Sequence, residues 1–543
     1  MSLDLSFIFV ELRGNYVDPS DTAKAILGAA AEPVKKSPFR LIDTESGRLC
    51  NAEERKNIFR KDPIFQETVS SMTTQLHQER VDSVTERFFR YVMLSHRWEG
   101  SELELADVLG KSIYDLDASP AVTKLQRFCY LARDAKVRWA WSDTCCINKD
   151  KDEFEKSINS MFQWYYCSAA TIVYLAGVPP LLIRGGLKGS VWMTRGWTLQ
   201  ELLAPRIIRF YYDDWTPYLN NMSPNHKESA VIMQELEDAT GVTSNDLLDF
   251  RPGLEDIAVK LRLASTRETT EPVDMAYGLF GIFGVKMSVI RGESQQHALG
   301  RLFQEIVARS GDVACLAWVG QSSEFNSAFP DHLRVYEHPS HTVPCIGEED
   351  MERRVVELRR AWTREEEAQV ISFYQRLNKL PAACCTNQHV HLPCIVFPVM
   401  TLKRVKQTEY RAMTKTLEDT QIYSGEKILP GVQNLILVCP WIDELLDAVP
   451  GHYEEARSDS DPEPLPGSGP SSDHNFALTS APTDTTLKAS RLAVRFKQPL
   501  GALLLLALGR EQYRRVATDN EIIIRVRDED SLDDMVLQML QIR

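Results

Sequence analysis

The chain has 543 residues, 43% of them hydrophobic and 25% charged, the balance of an ordinary folded protein with room for two or three domains. Its net charge of −14, from 62 basic and 76 acidic residues, argues against a phosphate-neutralising surface that would bind nucleic acid non-specifically. Eleven cysteines without a regular framework read as reduced cytosolic thiols; Leu5–Val10 lacks the basic flank of a signal peptide, and the longest apolar run, Leu500–Leu508, is too short to span a bilayer.

Residues 1–38 read as a weakly patterned leader, and Phe39–Thr44 as a first strand and turn. Residues 50–89 are charged and partly helical in pattern. Tyr91–Ser95 is a short apolar run that ends in Ser95-His96-Arg97-Trp98, a buried strand leading into a polar loop. Ser119-Pro120 opens a helix to about Asp134, with serine as cap and proline in the first turn. Arg138–Asp143 is the next strand, ending in Asp143-Thr144-Cys145-Cys146-Ile147-Asn148. Asp150 with Glu153 resembles a capping box, and the helix it opens carries Phe154, Ile158, Met161, Phe162 and Tyr165 as an apolar stripe. Thr171–Leu175 and Ile207–Tyr212 are further strands. Alternating strands and helices imply a parallel α/β sheet, whose ligands bind beyond the carboxyl ends of the strands. Four polar segments are expected there: Ser95–Trp98, Asp143–Asn148, the loop before Trp192, and Asp213-Asp214-Trp215.

In Trp192–Pro205, Leu199, Leu202 and Leu203 follow helical spacing and Pro205 stops the helix. Trp197 and Glu201, four apart, share the face roughly opposite the leucines. A carboxylate beside an indole is partly desolvated, which suits catalysis; a solvated or salt-bridged glutamate is the plainer reading of such a pair. Residues 225–318 look helical, 352–379 form a charged helix, and from 386 the texture is β: His391–Val399, Leu435–Cys439, Arg491–Phe496, Leu500–Leu508 and Glu521–Val526. Residues 453–488, rich in Ser, Pro, Asp and Glu, read as a disordered insert. Cys145-Cys146 reads as core. Cys385, His389, His391 and Cys394 are zinc-type ligands in a spacing more compressed than zinc patterns usually have, so no metal site is assigned.

Four motifs in order carry a resemblance: Tyr91-Val92-Met93-Leu94-Ser95-His96-Arg97-Trp98, Trp141–Lys149, Ile158–Tyr165 and Thr194–Pro205. The chain resembles fungal heterokaryon incompatibility (HET) domain proteins of the basidiomycete type, closely over about 39–215 and more weakly through Arg267–Phe283 to Trp318. Tyr513–Ala517 is similar to their trailing region. Departures are Arg97 where threonine is usual, Glu99 where glycine directly follows the tryptophan, and Gly292-Glu293-Ser294 in place of Gly-Glu-Gly.

The resemblance implies an α/β, parallel-sheet, TIR/flavodoxin-like HET domain over 39–220 and a helical extension over 221–320. A charged helical connector over 321–385 and a β-rich C-terminal domain over 386–543 complete the expected architecture. It also implies a role in non-self recognition and programmed cell death in fungi, which the reading of the cysteines as reduced thiols places in the cytoplasm. TIR domains place a W-x-x-x-E helix after the third strand, and its glutamate cleaves NAD in the enzymatic members. By this likeness Glu201 is the candidate catalytic residue, with NAD as a substrate and no cofactor. Ser95, Arg97, Trp98, Asp143, Arg195 and Trp197 are the candidate ligand-binding residues. Cleavage of an N-glycosidic bond builds positive charge on the ribose that one carboxylate stabilises; Arg97 or Arg195 suits the pyrophosphate, and Trp98 or Trp197 suits a stacked ring. The other reading is a non-catalytic module that self-associates or recruits another incompatibility protein. No G-x-x-x-x-G-K-[ST] phosphate loop is present.

Overall fold

In the computed structural model, the residues described are 17–72, 77–180, 185–338, 346–428, 434–441, 484–509, 511–527, 532 and 535–543. The chain divides into two units at Leu302/Phe303. Among the described residues no helix is long and apolar enough to cross a membrane.

The first unit begins, where described, with helix α1 (Pro19–Ala29), capped by Asp18, whose carboxylate accepts the Ser20 N–H at 2.7 Å. Ile26 and Ala30 are fully buried, so the expected leader is part of the fold from residue 19 onward. A six-stranded sheet follows: β1 (Arg40–Asp43), β2 (Leu49–Asn51), β3 (Tyr91–His96), β4 (Trp139–Trp141), β5 (Ala170–Tyr174) and β6 (Ile208–Tyr211). The order is β2-β1-β4-β3-β5-β6; β4, β3, β5 and β6 are mutually parallel, whereas β1 is antiparallel to β2 and β4. Every residue of β3 is buried, as a strand covered on both faces requires. From β3 the chain moves to β4 on one side, then crosses back to β5 on the other. The connections therefore part at the carboxyl ends of β3 and β5, which leaves a crevice there.

Helix α2 (Pro120–Asp134) starts as expected, with Ser119 Oγ accepting the Val122 N–H at 3.2 Å. The expected capping box at α3 (Lys151–Cys167) is absent: the Asp150 side chain makes no cap bond. Instead Glu153 pairs with Arg40 of β1, accepting Nη2 at 2.8 Å, and takes the Asn148 N–H at 3.3 Å. A long-range bidentate guanidinium outcompetes one local backbone donor. Helix α4 (Thr198–Leu203) is also not the amphipathic element expected, because all six residues are buried. Helix α5 (Gln295–Ser310) contains the division between the units, so the expected extension 221–320 belongs to the first only as far as Leu302.

In the second unit, α6 (Glu348–Ala361) and α7 (Arg364–Leu377) contribute Met351, Val355, Leu358, Val370, Phe373 and Leu377 to one apolar cluster with strand residues. They form core rather than a connector. The strands are β7 (Cys384–Thr386), β8 (His389–Pro398), β9 (Thr401–Arg404), β10 (Glu409–Met413), β11 (Thr420–Tyr423), β12 (Leu435–Pro440), β13 (Leu500–Gly509), β14 (Gln512–Arg515), β15 (Ile522–Ile524) and β16 (Val536–Ile542). They make a three-stranded sheet, β11-β10-β9, and a seven-stranded one, β12-β13-β14-β16-β8-β7 with β15 on β13. Arg491–Phe496, expected as a strand, is the end of helix α8 (Asp484–Phe496). Ala489, Leu492, Ala493 and Phe496 are its buried face, spaced i, i+3, i+4, i+7. Of the expected disordered insert, 453–483 lies outside the described residues and 484–488 is the first part of α8. His391 Nε2 is hydrogen-bonded to Thr386 Oγ1 at 2.7 Å and Cys394 is fully buried; among the described residues no three His, Cys, Asp or Glu gather as metal ligands.

Candidate functional site

A cavity of about 460 Å³ opens beyond the carboxyl end of β3, between the segment that follows β4 and the connection from β5 to β6, the size of a small-molecule site. His96, Arg97 and Trp98 reach it from the end of β3, and Asp143, Ile147 and Lys149 from the segment after β4. Phe154, Ile158 and Met161 of α3 give it an apolar wall, and Arg195, Trp197, Thr198 and Glu201 close another side. Thr270, Glu271 and Asp274 come from a later segment, tied on by backbone bonds from Gly196 N to Glu268 O (2.8 Å) and Glu268 N to Thr194 O (2.6 Å). Gly196 is needed there, since a Cβ would lie 2.5 Å from Thr269 Cγ2.

Glu201 is 4% exposed. Its Oε2 accepts the hydroxyl of Ser95, whose oxygen in turn accepts the Trp192 indole N–H at 2.7 Å. Ser95 is thus oriented from behind, and its proton is directed at the carboxyl. Tyr165 also meets Glu201, and its hydroxyl donates to Leu94 O at 3.2 Å. Among the described residues Glu201 has no cation at ion-pair distance. Arg195 bonds Thr270 Oγ1, and the buried Arg267 bonds Arg195 O and Thr198 Oγ1. Burial first, and the charge of Asp143 second, push the Glu201 carboxyl up to about 8, against the opposing effects of Ser95, Tyr165 and Arg195.

Two indoles are fixed by carboxylates on the cavity walls. Trp98 Nε1 donates to Asp143 Oδ2 at 2.8 Å and Trp197 Nε1 to Asp274 Oδ2 at 2.9 Å. Trp98 remains 49% exposed, so its face is free for stacking. Burial raises Asp143 to about 6, tempered by the Trp98 bond. His96 is buried with both ring nitrogens unpartnered; Nε2 lies 3.9 Å from Glu102 Oε2 and 4.0 Å from Asp143 Oδ1. Burial and the neighbouring Lys124 hold its pKa well below the usual value, so it is neutral.

The structure brings together the residues expected to be catalytic or ligand-binding: Glu201, Arg97, Trp98, Asp143, Arg195 and Trp197 line the cavity, and Ser95 lies behind Glu201, whereas no described residue of the expected loop before Trp192 lines it. It does not bring in Asp213–Trp215. Trp215 packs on Tyr174 with ring centroids 4.7 Å apart, and Asp213 O accepts the Tyr174 hydroxyl. Sequence reasoning missed His96, Trp192, Arg267 and Asp274. A histidine closing a buried, mostly apolar strand is a local signal for the first; Asp274 has none, being placed by a backbone bridge to a segment some seventy residues earlier.

Fold and site define a parallel α/β unit with an acid-lined cavity at its topological switch point. Residues 91–179 match the family model "Heterokaryon incompatibility protein (HET)". The chain is 36% identical over 244 residues to the vegetative incompatibility protein HET-E-1 of Podospora anserina, a stretch that is 42% of this chain and 16% of that protein. The chain therefore spans about a sixth of its curated relative. No solved structure matches at a significant level.

Proposed function

We propose that the first unit is a TIR-like HET module that acts in the cytosol in non-self recognition and cell death, cleaving NAD at the nicotinamide–ribose bond through Glu201. The parallel strands, taken in chain order, lie 2-1-3-4, the start of the flavodoxin-like order. The cysteines described are free thiols, in keeping with the cytosol. One observation carries the reading: an unpaired carboxyl, oriented by Ser95, in the wall of a cavity at the switch point. The cationic nicotinamide ring would draw that carboxyl into its ionised form on binding, placing negative charge where the ribose becomes positive. Arg97 and Arg195 are the guanidinium groups on the cavity wall that suit the pyrophosphate, with Lys149, ion-paired to Glu104, beside them.

The test is the full chain joined to a chemically induced dimeriser, with nicotinamide release followed on addition of the inducer. Release from the parent chain and a loss of about 100-fold or more in Glu201→Gln supports the enzyme. The 4% exposure of Glu201 favours a second reading, a module that self-associates or recruits an incompatibility partner without turnover. Constant NAD alongside cell killing that Glu201→Gln leaves intact selects that reading.

A further inference from the structure

The cavity holds two carboxyl groups in unlike surroundings. Asp143 is anchored: the Trp98 indole N–H and the Thr144 backbone N–H both favour its charged form. The titratable groups facing it are Glu102, Lys124 and His96, and Lys124 Nζ is itself held 2.5 Å from Glu102 Oε1. Glu201 faces Ser95 of β3, Tyr165 of α3 and Asp143, with Arg195 and Arg267 as the cations whose charge reaches it without an ion pair. Both carboxyls accept hydrogen bonds, but the Asp143 side chain keeps 21% of its exposure whereas Glu201 keeps 4%, so Glu201 is the more thoroughly stripped of water. Such a pair divides into a base and an acid.

We propose that the cavity also cleaves neutral purine N-ribosides, with Glu201 protonating the leaving base and Asp143 taking a proton from the attacking water. This rests on reading the same cavity as an N-riboside site. Nicotinamide leaves NAD as a neutral molecule and needs no proton, so a protonated carboxyl has no part in that departure. A neutral purine would leave as an anion unless a ring nitrogen is protonated, and purines carry a basic nitrogen away from the glycosidic bond. Trp98 and Trp197, each tethered by its N–H, both line the cavity and supply aromatic surface for a flat ring. In the step, the C1′–N9 bond breaks and its electron pair passes to the purine. Glu201 gives its proton to the base, water oxygen bonds C1′, and the proton of that water goes to Asp143. The products are a free sugar hydroxyl and a neutral purine, and solvent restores both carboxyls. With the Asp143 carboxyl near 6 and that of Glu201 near 8, the acid–base pair is correctly protonated between those values.

The dimerised full chain is incubated in parallel with inosine, adenosine and NAD, and free hypoxanthine, adenine and nicotinamide are separated by chromatography. Purine release is expected, falling below pH 6 and above pH 8, and reduced about 100-fold by Asp143→Asn, with a smaller effect on nicotinamide release. Trp98→Phe, which keeps the ring but removes the donor to Asp143, is expected to move the acid limb to higher pH. Purine release without nicotinamide release supports this proposal and overturns the NAD reading. Nicotinamide without purine overturns this proposal and leaves the NAD reading standing. Release of neither overturns both, as long as the chain is folded by circular dichroism.

Discussion

At the scale of single residues, Glu201 couples chemistry to stability. Its carboxyl titrates near 8 when folded, against the ordinary 4.5 of a glutamate in a free chain. Between those values the folded chain keeps a proton that the unfolded chain has released. Its contribution to stability is therefore complete below pH 4.5, declines as pH rises to 8, and is level beyond. At about 1.4 kcal/mol for each pH unit between the two values, the loss is on the order of a few kcal/mol. Glu201→Gln cannot ionise, so it is expected to unfold near the parent temperature at pH 5 and clearly above it at pH 8.5. Equal differences at both pH values would refute a buried proton on Glu201. Ser95→Ala tests the orienting chain in the other direction. It removes a donor that lowers the Glu201 pKa and strands the buried Trp192 N–H. The declining limb should extend to higher pH, at an overall cost of about 1–3 kcal/mol, and Ser95→Thr, which keeps the hydroxyl, should restore the limb. Titration of unfolding temperature against pH reads both. The acid and its serine were legible in the sequence because each stands in a short motif at fixed spacing. His96 and Trp192 stand in or beside the same motifs, yet their roles arise only when the end of β3 meets Glu102, Asp143 and the segment before α4.

At the scale of elements, α3 is placed by what approaches it. A Cβ on Gly281 would sit 2.2 Å from Phe162 Cβ. The obstruction is the first carbon of the phenylalanine and not its ring end, so trimming the ring gives no relief and the helix itself must shift. Gly281→Ala is expected to destabilise the first unit by about 1–3 kcal/mol or more. Because α3 carries Phe154, Ile158 and Met161 of the cavity wall, base release should fall with it, and Phe162→Leu should fail to rescue either; thermal unfolding and a base-release assay decide. Elements were readable from sequence where one period governs, as in α2 with its Ser119 cap. They were misread where the partner is distant or the window too short. Arg40 lies over a hundred residues before the Glu153 it captures, and Arg491–Phe496 looks like a strand until Ala489 is counted with it. The complete burial of α4 was equally hidden, because the 267–274 segment that ties onto its start belongs to another part of the chain.

At the scale of the molecule, the question is where the first unit begins. The texture of the sequence places that boundary at residue 39, yet the strongest tie lies just before it. Arg55 is fully buried, and its guanidinium donates to Ser37 Oγ at 2.8 Å and Pro38 O at 3.0 Å, with Asn51 O at 3.4 Å. Burial lowers its pKa to about 10, yet at neutral pH it stays charged and depends on those neutral acceptors. Deleting residues 1–38 removes two of the three, together with the buried Ile26 and Val34. A buried donor set left unpaired costs about 1–3 kcal/mol, and more for a charge; each lost aliphatic adds about 1.5–3 kcal/mol. The shortened chain should therefore unfold well below the parent. The two contributions separate with Arg55→Met. In the parent chain it breaks satisfied bonds and should destabilise. In the chain lacking 1–38 it removes a stranded charge and should stabilise relative to the same deletion with arginine. A change of sign between the two backgrounds, read by thermal unfolding, identifies Arg55 as the residue that fixes the boundary; the same sign in both would place the stabilising effect in the apolar contacts of α1 alone.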